Sequence, residues 1–338
     1  MKELIKKLTE VTGPSGFEHN IRETIRTEIE DLSEEIKVDA LGNLIVKLGK
    51  KSENGKVVMI AGHMDEIGIM ASHIDDKGFI HFTNIGGVFP PHCVGSRVRF
   101  MDGTAGVIGL KIKSFKETAT TNNLKLDNMF IDVGATSKEN CPIKVGDVAA
   151  FDRPFEDLGD RVVAKAMDDR ISAVVMIEAM KRLKETPNEI HFVFTVQEEV
   201  GLKGAKTSSY GINPDIGIAV DVTPCIDTPQ GTKNELELGK GAAIKVRDSS
   251  LVTDPRVVDW MVKTAEKANI PYQYEVLLLG GTDGGAIQLT RAGVVVGVIS
   301  IPTRYVHSPS EMVDINDVEA SIQLLVELIS NPIELNRG

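Results

Sequence analysis

The sequence predicts an α/β protein whose chain is interrupted by a small inserted β domain. Three observations predict it. Short continuous apolar runs such as VVMIAG (57–62), of the kind carried by strands buried on both faces, alternate with segments whose apolar residues recur at helical spacing. Between about Gly68 and Asp157 that pattern gives way to short strand-like runs punctuated by Gly, Asp and Pro. After Arg161 the first pattern returns and stays.

In chain order, ELIKKLTEV (3–11) and GFEHNIRETIRTEIEDL (16–32) read as helices, the second with Ile21, Ile25, Ile29 and Leu32 on one face. EEIKVDALGNLIVKLG (34–49) and GKVVMIAGHMDE (55–66) read as strands. The insert offers IMASHID, GFIHFTNI, SRVRFM, TAGVIGL, NMFIDV and DVAAF, a succession that suggests a small barrel or sandwich. Only SFKETATTNNLKLDNM (114–129) is ambiguous there between helix and loop. Beyond it come a helix over Ile171–Lys184, strands over Ile190–Gln197 and Ile216–Val222, a helix over Pro255–Ala268, strands over Gln273–Leu279 and Val294–Ile301, and a closing helix from about Ile315 to Leu328. The expected division is an α/β domain from 1–68 and 159–338, with a β domain of roughly 90 residues at 69–158.

The chain's 338 residues are enough for more than one core, since single cores stop growing near roughly 250–300 residues. With 38 basic against 49 acidic residues, a net charge of −11, and no strongly basic run, nucleic acid is not an expected partner. The N-terminal MKELIKKLTEVTG is amphipathic, with charges breaking every apolar run, so neither a signal peptide nor a membrane span is expected and the expected location is the cytoplasm. Cys93, Cys141 and Cys225 have no CxxC spacing and read as reduced thiols.

Five spots bearing acids or histidine fall at the ends of predicted elements: GHMDE (His63, Asp65, Glu66), MDDR (Asp168, Asp169), QEEVG (Glu198, Glu199), VDVT (Asp221) and YVHSPSE (His307). Four directly follow apolar strand runs, and in open α/β sheets ligands gather beyond the carboxyl ends of strands. Singly, each has an ordinary explanation as a structural histidine, a helix cap or a solvated turn; jointly, two His and three carboxylates suit borderline divalent ions such as Zn²⁺ or Co²⁺. The set is too rich in carboxylates for one tetrahedral site, which points to a bridged pair of ions. If the strand persists, His63 and Asp65 point to one side, so the Asp can fix the His tautomer. Adjacent Glu198 and Glu199 diverge, which permits one to bind metal and the other to act as general base. Glycosidase carboxylates, by contrast, face each other about 5–9.5 Å apart across a sugar, usually from separate elements. The glycine-rich LLLGGTDGGAIQL (277–289) lacks the Lys-Ser/Thr of a phosphate loop and reads as a tight strand-to-helix turn. Arg304 and Tyr305 are open between a substrate contact and an oligomer contact.

Taken together, GPSGFE, LGNLIV, GHMDEIG, KAMDDR, QEEVGLKGA, DVT, GGTD and IPTRYVHSPSEM resemble, in order and spacing and over essentially the whole chain, the M42 family of dinuclear metallo-aminopeptidases, some relatives of which carry cellulase labels. The resemblance implies a mixed-sheet, phosphorylase/hydrolase-like α/β/α domain of zinc-peptidase type and an inserted β-barrel or PDZ-like dimerisation domain. It makes His63 and Asp221 ligands of one ion, Glu199 and His307 ligands of the other, and Asp168 the bridge. Glu198 falls at the general base and Asp65 at the support of His63. A non-proline cis peptide after Asp168 is implied as well. So are two divalent ions per subunit (Zn²⁺ or Co²⁺), peptide substrates with free N-termini, and dimers assembling into a tetrahedral dodecamer. The resemblance also makes 277–289 a wall of the substrate pocket, whose residue preference is not implied. Against the aminopeptidase stand an endo-glycosidase, for which a lone Trp260 is a poor sugar platform, and a non-catalytic scaffold, which would lack a ligand or the base.

Overall fold

The computed structural model describes residues 1–33, 35–112, 124–231 and 236–335. The ambiguous segment of the insert falls largely outside these residues.

Among the described residues the chain forms an eleven-stranded mixed sheet and a closed barrel. At the centre of the sheet Glu189–Thr195, Val57–His63, Ile216–Pro224 and Val295–Arg304 run parallel in that spatial order. Antiparallel strands flank them: Leu44–Leu48 and Glu35–Val38 on one side, Glu311–Asp314, Arg161–Ala164 and Glu156–Asp157 on the other. Ala242–Arg247 pairs with Val295–Arg304 and with Tyr272–Val276.

The pleat explains why the central runs are continuously apolar. Val58, Ile60, Phe192, Phe194, Ile218 and Val220 face the main core, with the helices Met167–Arg182 and Ile315–Ser330. Met59, Ala61, Val193 and Ala219 face a second core under the helices Lys203–Ile212 and Asp283–Gln288. Both faces are covered, so both sets of alternate residues must be apolar.

The inserted segment closes as a barrel of Gly68–Ile74, Ile80–Ile85, Met129–Asp132, Ala105–Leu110, Arg97–Phe100 and Val148–Phe151, around its own core of Ile69, Ile80, Phe82, Val98, Phe100, Ile108 and Ile131. Closure removes exposed strand edges. Each of the six runs singled out in the sequence supplies one strand.

Several boundaries shift. The helix expected from Ile171 begins at Met167, but Asp168 and Asp169 have non-helical backbone angles, so regular helix starts beyond them. The strand expected over Gln273–Leu279 is Tyr272–Val276, and Val295–Arg304 runs past Ile301. The helix Lys203–Ile212 went unforeseen because KGAKTSSYGI buries mainly small or polar residues, Gly204, Ala205, Ser208 and Ser209, and has no apolar stripe to read. No described helix is long and apolar enough to cross a membrane. The three cysteines are free.

One fully buried cation ties the N-terminal segment to the sheet. The Arg170 guanidinium donates to the carbonyls of Leu8 (2.8 Å), Val11 (3.2 Å) and Gly13 (3.4 Å), and lies 3.5 Å from the Glu66 carboxylate, which Lys165 also pairs at 2.8 Å. It therefore satisfies carbonyls left over where the helix Lys2–Glu10 ends. Arg170→Met should lower the unfolding free energy by about 3 kcal/mol, since one partner of a buried ionic cluster is removed. Urea melts would show this as an earlier midpoint, and an unmoved midpoint would contradict it.

Candidate metal centre

The parallel register brings the predicted residues to one edge of the sheet. His63, at the end of its strand, is level with Thr195, whose strand leads into the loop bearing Glu198 and Glu199. Asp221 lies two residues beyond Ala219, which pairs with Ala61, so it stands beside His63 on the neighbouring strand. His307 occupies the turn after Val295–Arg304, and Asp168 the turn before the long helix. The Asp168–Asp169 peptide bond is cis.

Asp168 is at the middle. Its Oδ1 is 3.0 Å from His63 Nε2 and its Oδ2 is 3.2 Å from His307 Nε2. On the His63 side, Asp221 Oδ1 and Glu198 Oε2 each lie 4.0 Å from Nε2. On the His307 side, Glu199 Oε1 lies 3.4 Å from Nε2. Possible ligand atoms of His63, Asp168 and Glu199, and separately those of His63, Asp169 and Asp221, lie within 4.8 Å of one another.

The electrostatics are those of acids crowded out of water. Burial, with repulsion from neighbouring acids, pushes Asp169, Glu198 and Asp221 well above the usual carboxylate range, and raises Glu199 too. Burial would raise Asp168 likewise, but hydrogen bonds to His307 and His63 hold it below that range. His307 is pushed up to about 11: burial opposes its charge, and the carboxylates of Asp168 and Glu199 outweigh burial. Such a site calls for more positive charge than two imidazoles supply. Glu199 Oε1 is buried without a hydrogen-bond donor. The residues present fit divalent cations, with oxygen and imidazole donors converging and an acceptor left free.

Carboxylates outside the predicted ligand set hold the backbone of the site. Asp65 accepts from the Glu198 and Glu199 amides (3.0 and 3.2 Å) and from the Ser15 hydroxyl (2.6 Å), while the His63 Nδ1 contacts its carbonyl at 3.1 Å and its Oδ1 at 3.5 Å. Asp169 accepts from the His63 amide (3.2 Å) and from the Ser172 hydroxyl. Glu311 accepts from the amides of Asp168 (3.0 Å) and His307 (2.7 Å). Glu18 and Asn43 accept from the Gln197 and Val196 amides, steadying the loop before Glu198. Ala166, Gln197, Tyr305 and His307 have left-handed backbone angles beside these anchors, a conformation that persists where the surroundings over-determine it.

Sequence reasoning missed Glu311, Asp283 and the barrel's contribution. Glu311 stands in the quoted YVHSPSEM, but nothing in its spacing reveals that it reaches Asp168, far off in the chain. Asp283 begins the short helix Asp283–Gln288; its Oδ2 accepts from Thr195, its Oδ1 has no partner, and burial raises it to about 6. From the barrel side, a Cβ on Gly86 would stand 2.9 Å from Glu199 Oε2, and one on Gly87 would stand 2.3 Å from His307 Nδ1. His92 Nδ1 meets the His307 carbonyl at 3.0 Å.

A cavity of about 560 Å³ opens from the acids, walled by Phe89, Val222, Ile226, Leu277, Leu279 and Tyr305 among others, with Lys245 and Thr282 also lining it. The glycine-rich stretch therefore has both expected characters: 277–282 lines the cavity and a short helix follows. Arg304 is committed to Asp227, with contacts at 2.6 and 2.7 Å, and so clasps two wall segments together, whereas half-exposed Tyr305 faces the cavity. Trp260 packs elsewhere, against the main core.

A family model described as M42 glutamyl aminopeptidase matches residues 42–324. A lysyl aminopeptidase of Pyrococcus furiosus is 36% identical, over 97% of this chain and 96% of its own. Among solved structures, aminopeptidase APDkam598 of the archaeon Desulfurococcus kamchatkensis superposes with a TM-score of 0.92 at 42% identity, covering 97% of this chain and 94% of that one. The Pyrococcus horikoshii TET1 peptidase, described as assembling into a tetrahedron or a large octahedral shell, does so at 0.88 and 35%, covering 97% and 98%.

The contact at Gly87 gives a direct test of the barrel's part in the site. Gly87→Ala should displace the His307 ring and weaken divalent-ion binding about 10–100-fold, the usual cost of disturbing the groups that orient a ligand. Metal analysis after equilibrium dialysis would read it, and unchanged binding would contradict it.

Proposed function

The chain belongs to the M42 family of aminopeptidases, and on that premise we propose that it removes N-terminal residues from peptides with the help of two divalent ions, Zn²⁺ or Co²⁺. His63 and Asp221 would hold one ion, Glu199 and His307 the other, and Asp168 would bridge them. The observation that carries this reading is the placement of the two Asp168 oxygens, one beside each histidine. A carboxylate so placed can serve two cations at once, and their charge offsets the repulsion that otherwise crowds the acids. When bound, the ions supply Lewis-acid polarisation of the scissile carbonyl and activation of water.

The chain's own residues do the rest. Glu198 lines the cavity, and its carboxylate would take a proton from the attacking water and deliver it to the leaving amine. Asp65 would act through its neighbours. Its oxygens hold the Glu198 and Glu199 amides and steady the His63 ring, which fixes the direction of both glutamates. Nearby acidic side chains would receive the substrate's α-ammonium group and so restrict cleavage to the first residue. The division into 1–68 with 159–338 as the catalytic domain and 69–158 as a dimerisation domain belongs to the same reading. So do a cytoplasmic location and assembly toward a tetrahedral dodecamer, the TET1 peptidase being described as assembling into a tetrahedron.

Two outcomes check this. A chelator should abolish hydrolysis of aminoacyl p-nitroanilides and Co²⁺ or Zn²⁺ should restore it, while a soluble cellulose derivative is untouched. Failure to cleave any member of the panel in any metal state would sink the proposal. Glu198→Gln should lose about 10²–10⁴-fold in kcat while keeping its metal, as expected for a general base; near wild-type turnover would remove Glu198 from that role.

A further inference from the structure

Glu311 is 2% exposed, carries no predicted role, and stands at the start of the strand Glu311–Asp314. One carboxylate oxygen, Oε2, accepts from the Asp168 amide at 3.0 Å, and the other, Oε1, accepts from the His307 amide at 2.7 Å. The two amides belong to segments that share no strand: the turn before the long helix and the turn after Val295–Arg304. His307 itself has a left-handed backbone (φ 60°), a conformation that needs outside support in a residue with a Cβ. His92 reaches the His307 carbonyl from the barrel and leaves Asp168 untouched. Asp65 and Asp169 hold the amides of Glu198, Glu199 and His63. Among the described residues, Glu311 is the side chain that bonds the amides of both Asp168 and His307.

We propose that Glu311 is a positioning residue that sets the span between Asp168 and His307, and through it the affinity of the metal position formed by Glu199 and His307. The inference rests on the two-ion reading above. Asp168 serves both positions, but His63 is held by Asp65 and Asp169 and Asp221 lies inside the strand Ile216–Pro224, whereas His307 takes its amide anchor from Glu311, so the loss of Glu311 falls more heavily on the His307 position. A glutamine here offers a single acceptor oxygen and turns an NH₂ group toward the second amide. An aspartate keeps both carboxyl oxygens but is one methylene too short to span both amides.

The test is a Co²⁺ titration of chelator-stripped wild type, E311Q and E311D, followed by calorimetry and by the visible absorption of bound Co²⁺. H63A and H307A serve as references that identify which class of site belongs to which histidine. The expected result is that E311Q and E311D weaken about 10–100-fold the class that H307A also loses, and weaken the class that H63A loses to a smaller extent. Wild-type isotherms in both variants would overturn the proposal. Equal weakening of both classes would overturn it as well, because that is what a merely structural residue produces. E311D retains the buried carboxylate and decides the matter should E311Q not fold. A wild-type protein with one class of site or none would instead refute the two-ion reading itself, a result that neither variant can mimic.

Discussion

The structure depends on the burial of more negative charge than its own cations can neutralise. Asp168, Asp169, Glu199 and Asp221 converge on one edge of the sheet with Glu198 beside them, and the bases among them are His63 and His307. An ionised carboxylate taken out of water is costly unless it is paired or coordinated. The upward push on Asp169, Glu198, Glu199 and Asp221 is that cost made visible as a shared tendency to hold protons. Divalent cations resolve the conflict, and they do so only if every donor is already in place.

Much of the rest of the fold serves to keep those donors in place. The parallel register brings the four segments that carry His63, Glu198 with Glu199, Asp221 and His307 to a common edge. The loops beyond the strands are then fixed by acceptors aimed at their amides: Asp65 beneath the glutamates, Asp169 beneath His63, Glu311 between Asp168 and His307. The barrel completes the enclosure with two glycines that let its backbone approach Glu199 and His307 as closely as a side chain would forbid.

The sequence was most readable where local pattern and tertiary role coincide. Strands buried on both faces must be apolar throughout, so VVMIAG and FVFTV announced themselves, and the residues following them, His63 and Glu198–Glu199, could be expected to meet. The barrel strands were legible because turns of Gly, Asp and Pro cut them into short lengths. What stayed hidden depends on partners distant in the chain. Glu311 means nothing until it is seen against Asp168, and Gly87 looks like any turn glycine until the His307 ring is found beside it. Lys203–Ile212 was hidden for a different reason: a helix lying close against a sheet is built from small residues, which erase the periodicity that would reveal it.

Whether Asp168 joins two cations can be seen by anomalous diffraction from crystals grown with Co²⁺. A bridging Asp168 requires two anomalous peaks on opposite sides of its carboxylate, one within bonding distance of His63 and Asp221 and the other of Glu199 and His307. A single peak, or peaks that leave Asp168 uncoordinated, would contradict the bridge.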